Sequence, residues 1–357
     1  APTGEPPEGL GEEGKRVKRL AACDISVIIP VYNIQQHLRE CLDSVLGQSY
    51  PHLQVICVDD GSTDESPAIL AEYAQKDPRV QVIRQQNAGP GAARNTGLEA
   101  ATGEYVIFLD SDDWFEPDFL EQMVDTAQRE GADVAICRAV EFDTNSGREL
   151  PSEWMMKKQY LPGKLAFAPQ EMADHLFQFT YGMPWDKFYR RELLTSSGIR
   201  YPALKNSEDL AFVYPTLLAA KRIAVVDEVL IHHRINRMAS VSNSRCGQPE
   251  APYEAFQIVK EYLEQHQLMD TYRRSFLNWA MEFLVWHISN MSQRDIQRQY
   301  LHTLRHQWLP QLHFEEHPAS YYESKSCYAK YLLARYAPYP VFAAVVKVYK
   351  KAKHGGQ

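Results

Sequence analysis

Four consecutive polar residues, Asp110, Ser111, Asp112 and Asp113, follow an uncharged β-forming run from Tyr105 to Leu109. A run of that composition reads as a strand buried on both faces. Carboxylates crowded at its carboxyl end repel one another and raise each other's pKa unless a cation sits among them. A hard divalent ion with oxygen ligands, Mn²⁺ or Mg²⁺, relieves that repulsion. A solvated turn capping a helix near Pro117 is the other reading, so the rest of the chain decides. Two more acidic pairs stand at comparable points. Asp59-Asp60 closes the apolar run Gln54 to Val58, and Glu208-Asp209 opens a segment with Leu210, Val213, Tyr214 and Leu217 on one helical face.

The elements that must position these groups alternate. Ile25 to Val31 is a continuous apolar strand, and Leu38, Cys41, Leu42, Val45 and Leu46 mark an amphipathic helix after it. The strand Gln54–Val58 leads to a helix capped by Asp64, then to a strand at Val80–Ile83. A glycine-punctuated turn from Asn87 to Gly97 runs into a third helix before the Tyr105 strand. Alternation of this kind predicts a parallel sheet between helices, and right-handed crossovers put the strand C-termini on one edge. Pro30-Val31-Tyr32, Asp59-Asp60 and Asp110-Ser111-Asp112 then share a rim, where ligands bind in open α/β sheets.

The second half is less regular. Strands are expected at Ala132–Val140, Trp185–Tyr189, Ile223–Val226 and Val229–Ile235, and helices at Pro169–Phe179 and Glu192–Ser196. From Pro249 onward the pattern is helical, with Trp279, Phe283, Trp286 and Ile288 expected in the core.

Composition narrows the class. The chain has 357 residues, 45% hydrophobic, enough to bury a full core. A net charge of −8 argues against a nucleic-acid partner. Six cysteines without a CxxC pair read as buried free thiols of a reducing compartment. No run reaches membrane-span length, so a cytoplasmic protein is expected, at most seated at the inner face of the membrane. Residues 1–23 read as a flexible leader. The tail carries Lys347, Lys350, Lys351 and Lys353 among apolar residues, a pattern able to rest on an anionic bilayer as a peripheral contact.

Read together, SVIIPVYN, VDDGSTD, NAGPGAARNTG, GEYVIFLDSDDW, WDKFYRREL and SEDLAF stand in an order and spacing that resembles the family 2 glycosyltransferases over residues 24–240. The resemblance implies an inverting enzyme of the bacterial cell-surface polysaccharide type. Its fold would be GT-A, an α/β architecture with a Rossmann-like mixed sheet flanked by helices, here with a helical C-terminal extension. Residues 24–245 would form the transferase domain, with a nucleotide-sugar half at 24–115 and an acceptor half at 116–245; residues 246–357 would be helical. The donor would be a UDP-sugar and the acceptor a hydroxyl of a glycan or lipid-linked sugar.

The same resemblance distributes roles. Asp60 would accept from the uracil N3–H, with Pro30 and Tyr32 in the nucleoside-binding turn. Arg94 would approach the phosphates or ribose, where a permanently charged guanidinium suits a diphosphate. Asp112 would ligate the metal; Asp110 would hold the ribose or a metal-bound water, and Ser111 lies between them. Asp209, with Glu208 as fallback, would be the base that takes the acceptor proton. Trp185 and Asp186 would line the acceptor side, and His232 or His233 would come near the cleft. Asp113 would support its neighbours or cap a helix.

The departures limit the reading. The QxxRW element of processive synthases is absent, which implies one sugar per encounter. A sugar-nucleotide nucleotidyltransferase would carry a glycine-rich basic loop where this chain has PVYNIQQHL, and a dehydrogenase would carry GxGxxG there. A non-catalytic nucleotide- or carbohydrate-binding module remains open from sequence.

Overall fold

The structure is a computed structural model that describes residues 25–236, 248–314 and 317–354. The expected leader, with Cys23 and Cys246, lies outside the described residues. The chain first alternates as its pattern predicts: β1 (Ile25–Val31), α1 (Leu38–Leu46), β2 (Leu53–Asp59), α2 (Ser66–Lys76), β3 (Val80–Arg84), α3 (Pro90–Ala100) and β4 (Tyr105–Phe108). Then come β5 (Trp114–Phe115), α4 (Phe119–Glu130), β6 (Val134–Asp143), β7 (Arg148–Leu150), β8 (Ala166–Phe167), α5 (Leu176–Phe179), β9 (Lys187–Arg190), α6 (Arg191–Ser197), α7 (Glu208–Ala219) and β10 (Ile223–Ile235). The rest is helical: α8 (Ala251–Gln265), α9 (Met269–Ser289), α10 (Arg294–Thr303), α11 (Leu309–Gln311), α12 (Lys325–Tyr336) and α13 (Tyr339–His354).

One mixed sheet runs in the order β3-β2-β1-β4-β9-β6-β10-β5. β1 pairs in parallel with β2 and β4, whereas β9 is antiparallel to both β4 and β6. Since β10 is parallel to β6, its carboxyl end points the same way as that of β4. The turn after Asp59, the DSDD segment and residues 232–235 therefore lie along one edge. Residues of β1 bury alternately on opposite faces: Val27 and Ile29 pack with α1 and α4, and Ile28 packs with α3, α7 and the C-terminal helices. That second core is continuous from Ile28 to Phe342, so the helical region shares it with the sheet.

Some expectations change. The two strands expected at 223–235 are one strand, kept in register with β6 by irregularities between Val226 and Ile231. Asp227 and Glu228 turn out to solvent at that point, and their charges made the run read as interrupted. Helix over 169–179 is broken into a short 3₁₀ turn at Pro169–Met172 and α5. Trp279 and Ile288 are buried and Phe283 is partly so, but Trp286 is exposed on the outer side of α9. Cys41, Cys57, Cys137 and Cys327 are buried free thiols, as expected.

Candidate active site

Arg94 holds the centre. A Cβ on Gly97 would lie 2.4 Å from Ile28 Cγ2, so only glycine lets α3 sit this close to β1. At the other end of the helix, a Cβ on Gly91 would meet Glu208 and Tyr201 at 3.0 and 3.1 Å. This close docking sinks Arg94 to 3% exposure. Its Nη2 donates to Asp110 Oδ1 at 2.7 Å, and its Nη1 donates to Asp209 Oδ1 at 2.8 Å and Glu208 Oε1 at 3.2 Å. The guanidinium also lies 5.3 Å from the centre of the Tyr201 ring. One cation thus joins three carboxylates from the end of β4 and the start of α7. The sequence expectation set Arg94 near the phosphates or ribose; in the structure its guanidinium is held by these three carboxylates.

The start of α7 is built for this. Ser207 adopts φ +62°, an uncommon left-handed conformation that turns the chain into the helix. Acidic residues in a first helical turn are favoured by the backbone dipole. Phe212 anchors the same helix, its ring 4.0 Å from that of Tyr201 and 5.4 Å from that of Phe108. Burial raises the Asp209 pKa, Arg94 opposes it, and repulsion from Glu208 and Asp110 carries it well above the ordinary carboxylate range. The Glu208 carboxyl is raised by burial too, against the pull of Arg94. Even so, the Asp209 side chain keeps 24% of its surface and that of Asp110 keeps 29%.

The DSDD turn is tied to β10. Asp113 is fully buried; it accepts the Arg234 backbone N–H at 2.7 Å and contacts His233 Nδ1 at 2.9 Å. The Arg234 side chain donates from Nε to the Asp112 carbonyl at 3.0 Å and from Nη2 to Glu40 at 2.5 Å, over the rings of Trp114 and Phe142. Burial would lower the His233 pKa, but Asp113, with Asp112 and Asp110 beyond it, raises it to about 9. His232 faces away from this turn, between Glu116 and Glu149. The sequence expectation named His232 or His233 without choosing between them and missed Arg234 and Glu40, which are far apart in the chain.

On the nucleoside side, Tyr32 is half exposed beside Pro30. Asp60 is buried and organises the loop into α3. Its Oδ1 accepts from Gln85 Nε2 and Ala88 N at 2.8 and 2.9 Å, and its Oδ2 accepts from Gly89 N at 2.8 Å. Ser111 is buried in the DSDD turn.

A family model described as glycosyl transferase family 2 matches residues 26–195. EpsH of Bacillus subtilis is 34% identical over 255 residues, 70% of this chain and 72% of EpsH. The chain belongs to glycosyl transferase family 2. A poly(ribitol-phosphate) β-glucosyltransferase of Bacillus spizizenii is 30% identical over 268 residues, 72% of this chain but 40% of that protein. Among solved structures, residues 1–349 of TarS from S. aureus, in complex with UDP-GlcNAc, superpose with a TM-score of 0.70 at 24% identity, covering 92% of both chains. That likeness carries the GT-A-type fold, helical C-terminal region included. Family membership sets aside the nucleotidyltransferase and dehydrogenase readings.

Two expected acceptor-side residues lie inside this glycosyltransferase. Trp185 is buried, stacked on His233 with ring centres 4.9 Å apart. Asp186 is buried against Lys187, whose Nζ donates to Asp186 at 2.6 Å and to the carbonyls of Tyr181 and Met183 at 2.8 and 2.9 Å. Neither side chain is open to solvent in this structure. The residues expected to ligate a cation are Asp110, part-exposed and bonded to Arg94, and Asp112, buried in the same turn. Among the described residues no group of three or more His, Cys, Asp or Glu is arranged to hold an ion alone. Two carboxylates completed by substrate phosphates are a usual mode for Mg²⁺.

Proposed function

We propose that this glycosyltransferase moves one sugar per encounter from a UDP-sugar to a hydroxyl of a glycan or lipid-linked acceptor, with inversion at the anomeric carbon, in the synthesis of cell-surface polysaccharide. The observation that carries the reading is the convergence of Asp110 and Asp209 on Arg94, which sets a donor-side carboxylate beside a part-exposed carboxylate at a helix start. TarS structures solved with UDP and UDP-GlcNAc support a UDP donor. Relatives named for transfer onto poly(ribitol-phosphate) support a polymeric acceptor.

In this reading Tyr32 lies against the nucleobase and Pro30 shapes its turn. Asp60 Oδ2, which accepts from Gly89, has a lone pair left for the uracil N3–H. Asp110 and Asp112 would hold Mn²⁺ or Mg²⁺, which would offset charge on the leaving diphosphate. Asp209 takes the acceptor's hydroxyl proton as that oxygen bonds to the anomeric carbon and the bond to the diphosphate breaks. Its carboxylate stands at the start of α7 with 24% of its side chain exposed, within reach of an incoming hydroxyl. Arg94 keeps Asp209 and Asp110 in register.

The test is a panel of UDP- and GDP-sugars with simple glycan acceptors, following nucleotide release with and without Mn²⁺ and the product's anomeric configuration by NMR. Metal-dependent UDP release and an inverted linkage are expected. Release of GDP alone, or a retained configuration, would overturn the proposal.

A further inference from the structure

Five of the ten large apolar side chains exposed among the described residues lie on α12 and α13: Leu332, Tyr336, Val341, Val345 and Val348. Val341, Val345 and Val348 follow i, i+4, i+7 spacing and form one stripe. They are 49%, 45% and 68% exposed. The helix is held so that the stripe faces outward. Phe342 is fully buried, Val346 packs on the same core, and the Tyr339 hydroxyl bonds Gln297 at 2.9 Å. Arg305 fastens the corner before α13 by donating to the carbonyls of Leu333, Ala334 and Ala337.

Charge says what covers the stripe. Lys347, Lys350, Lys351 and Lys353 crowd α13, and residues 325–357 hold no aspartate or glutamate, in a chain of net charge −8. An acid-free cationic end on an acidic protein complements an anionic surface. A second copy docking stripe to stripe would bring like charges together. An outward apolar stripe on a helix whose sequence is rich in lysine is the pattern of a helix lying in a bilayer interface. Among the described residues no helix is long and apolar enough to cross a membrane, so contact through these helices is lateral.

We propose that α12 and α13 form a docking face for an anionic lipid bilayer, with the valine stripe entering the headgroup region and the segment's positive charge drawing it to that surface. The inference stands on residues distant from the transfer site in sequence and does not depend on the donor. It would bring the enzyme to acceptors carried on lipid.

The test is co-flotation of the full chain with phosphatidylcholine vesicles and with vesicles in which a third of the lipid is phosphatidylglycerol. Binding is expected to the anionic vesicles only and to weaken at high salt, because the Debye length shrinks from about 10 Å at 0.1 M to about 3 Å at 1 M. Each lysine of α13 changed to glutamine should lower partitioning by about fivefold at low salt. The triple change Val341→Ser, Val345→Ser, Val348→Ser should also release the protein, while UDP-sugar hydrolysis in solution stays normal and shows that the fold is intact. Equal binding to both vesicle types, binding unaffected by either set of changes, or no flotation together with a dimer dissociated by the valine changes would overturn the proposal; the last would assign the face to a second copy.

Discussion

Two ion clusters in this protein use the same chemistry to opposite ends. Around Arg94, three carboxylates share one guanidinium, and two of them reach solvent. At Lys187, one carboxylate meets one ammonium, both are buried, and two backbone carbonyls complete the ammonium's hydrogen bonds. The second cluster is balanced and closed, so it needs nothing more. The first holds three carboxylates on one guanidinium with two of them part-exposed, and burial, opposed by Arg94 and reinforced by Glu208 and Asp110, raises the pKa of Asp209. Charge imbalance with exposure, more than the presence of an ion pair, is what marks the Arg94 cluster as the candidate site.

Breaking the closed cluster should cost the most stability. Lys187→Met leaves Asp186 buried without its partner, and a loss of about 3–5 kcal/mol is expected in urea unfolding. Adding Asp186→Leu should restore much of that loss, since an apolar pair replaces an ionic one. A double variant as unstable as the single one would contradict the structural assignment.

Asp60 stands between the two behaviours, buried yet beside the donor rim. Asp60→Ala removes three hydrogen bonds to the loop entering α3. UDP affinity by calorimetry should fall by roughly 1–3 kcal/mol, the scale of hydrogen bonds to a charged group. Unchanged affinity in a folded variant would restrict Asp60 to holding the loop.

The smallest effect sharpens the open cluster. Arg234→Met frees the Asp112 carbonyl and Glu40 but leaves the backbone link from residue 234 to Asp113. Stability should drop by about 1 kcal/mol. The Mn²⁺ concentration needed for half-maximal UDP-sugar binding should rise several-fold. An unchanged metal requirement would mean that the turn is held without Arg234.

Much of this was legible in the chain because its signals are local. Continuous apolar strands, the helix spacing at 38–46 and the acidic pairs at strand and helix ends placed the sheet and its rim, with Asp110 after a strand and Asp209 at a helix start. What stayed hidden depends on tertiary pairing. Nothing at Arg94 announces that its partners lie at 110, 208 and 209. Nothing local placed β9 antiparallel between β4 and β6, which turns Trp185 and Asp186 inward. Trp286 looked like core because an aromatic residue in a helix carries no mark of the side it faces. The charges at Asp227 and Glu228 hid a single strand, since a bulge lets both face solvent without ending the ladder.

The most direct measurement is steady-state transfer by Asp209→Asn, paired with calorimetry of UDP-sugar and Mn²⁺ binding. The amide keeps the side chain's size and can still accept from Arg94, but it cannot take a proton at neutral pH. If the unbalanced cluster exists to hold a base, donor and metal affinity should remain close to the parent's while kcat falls by about 10²–10⁴. Near-normal turnover in the folded variant would contradict the account and pass the role to Glu208.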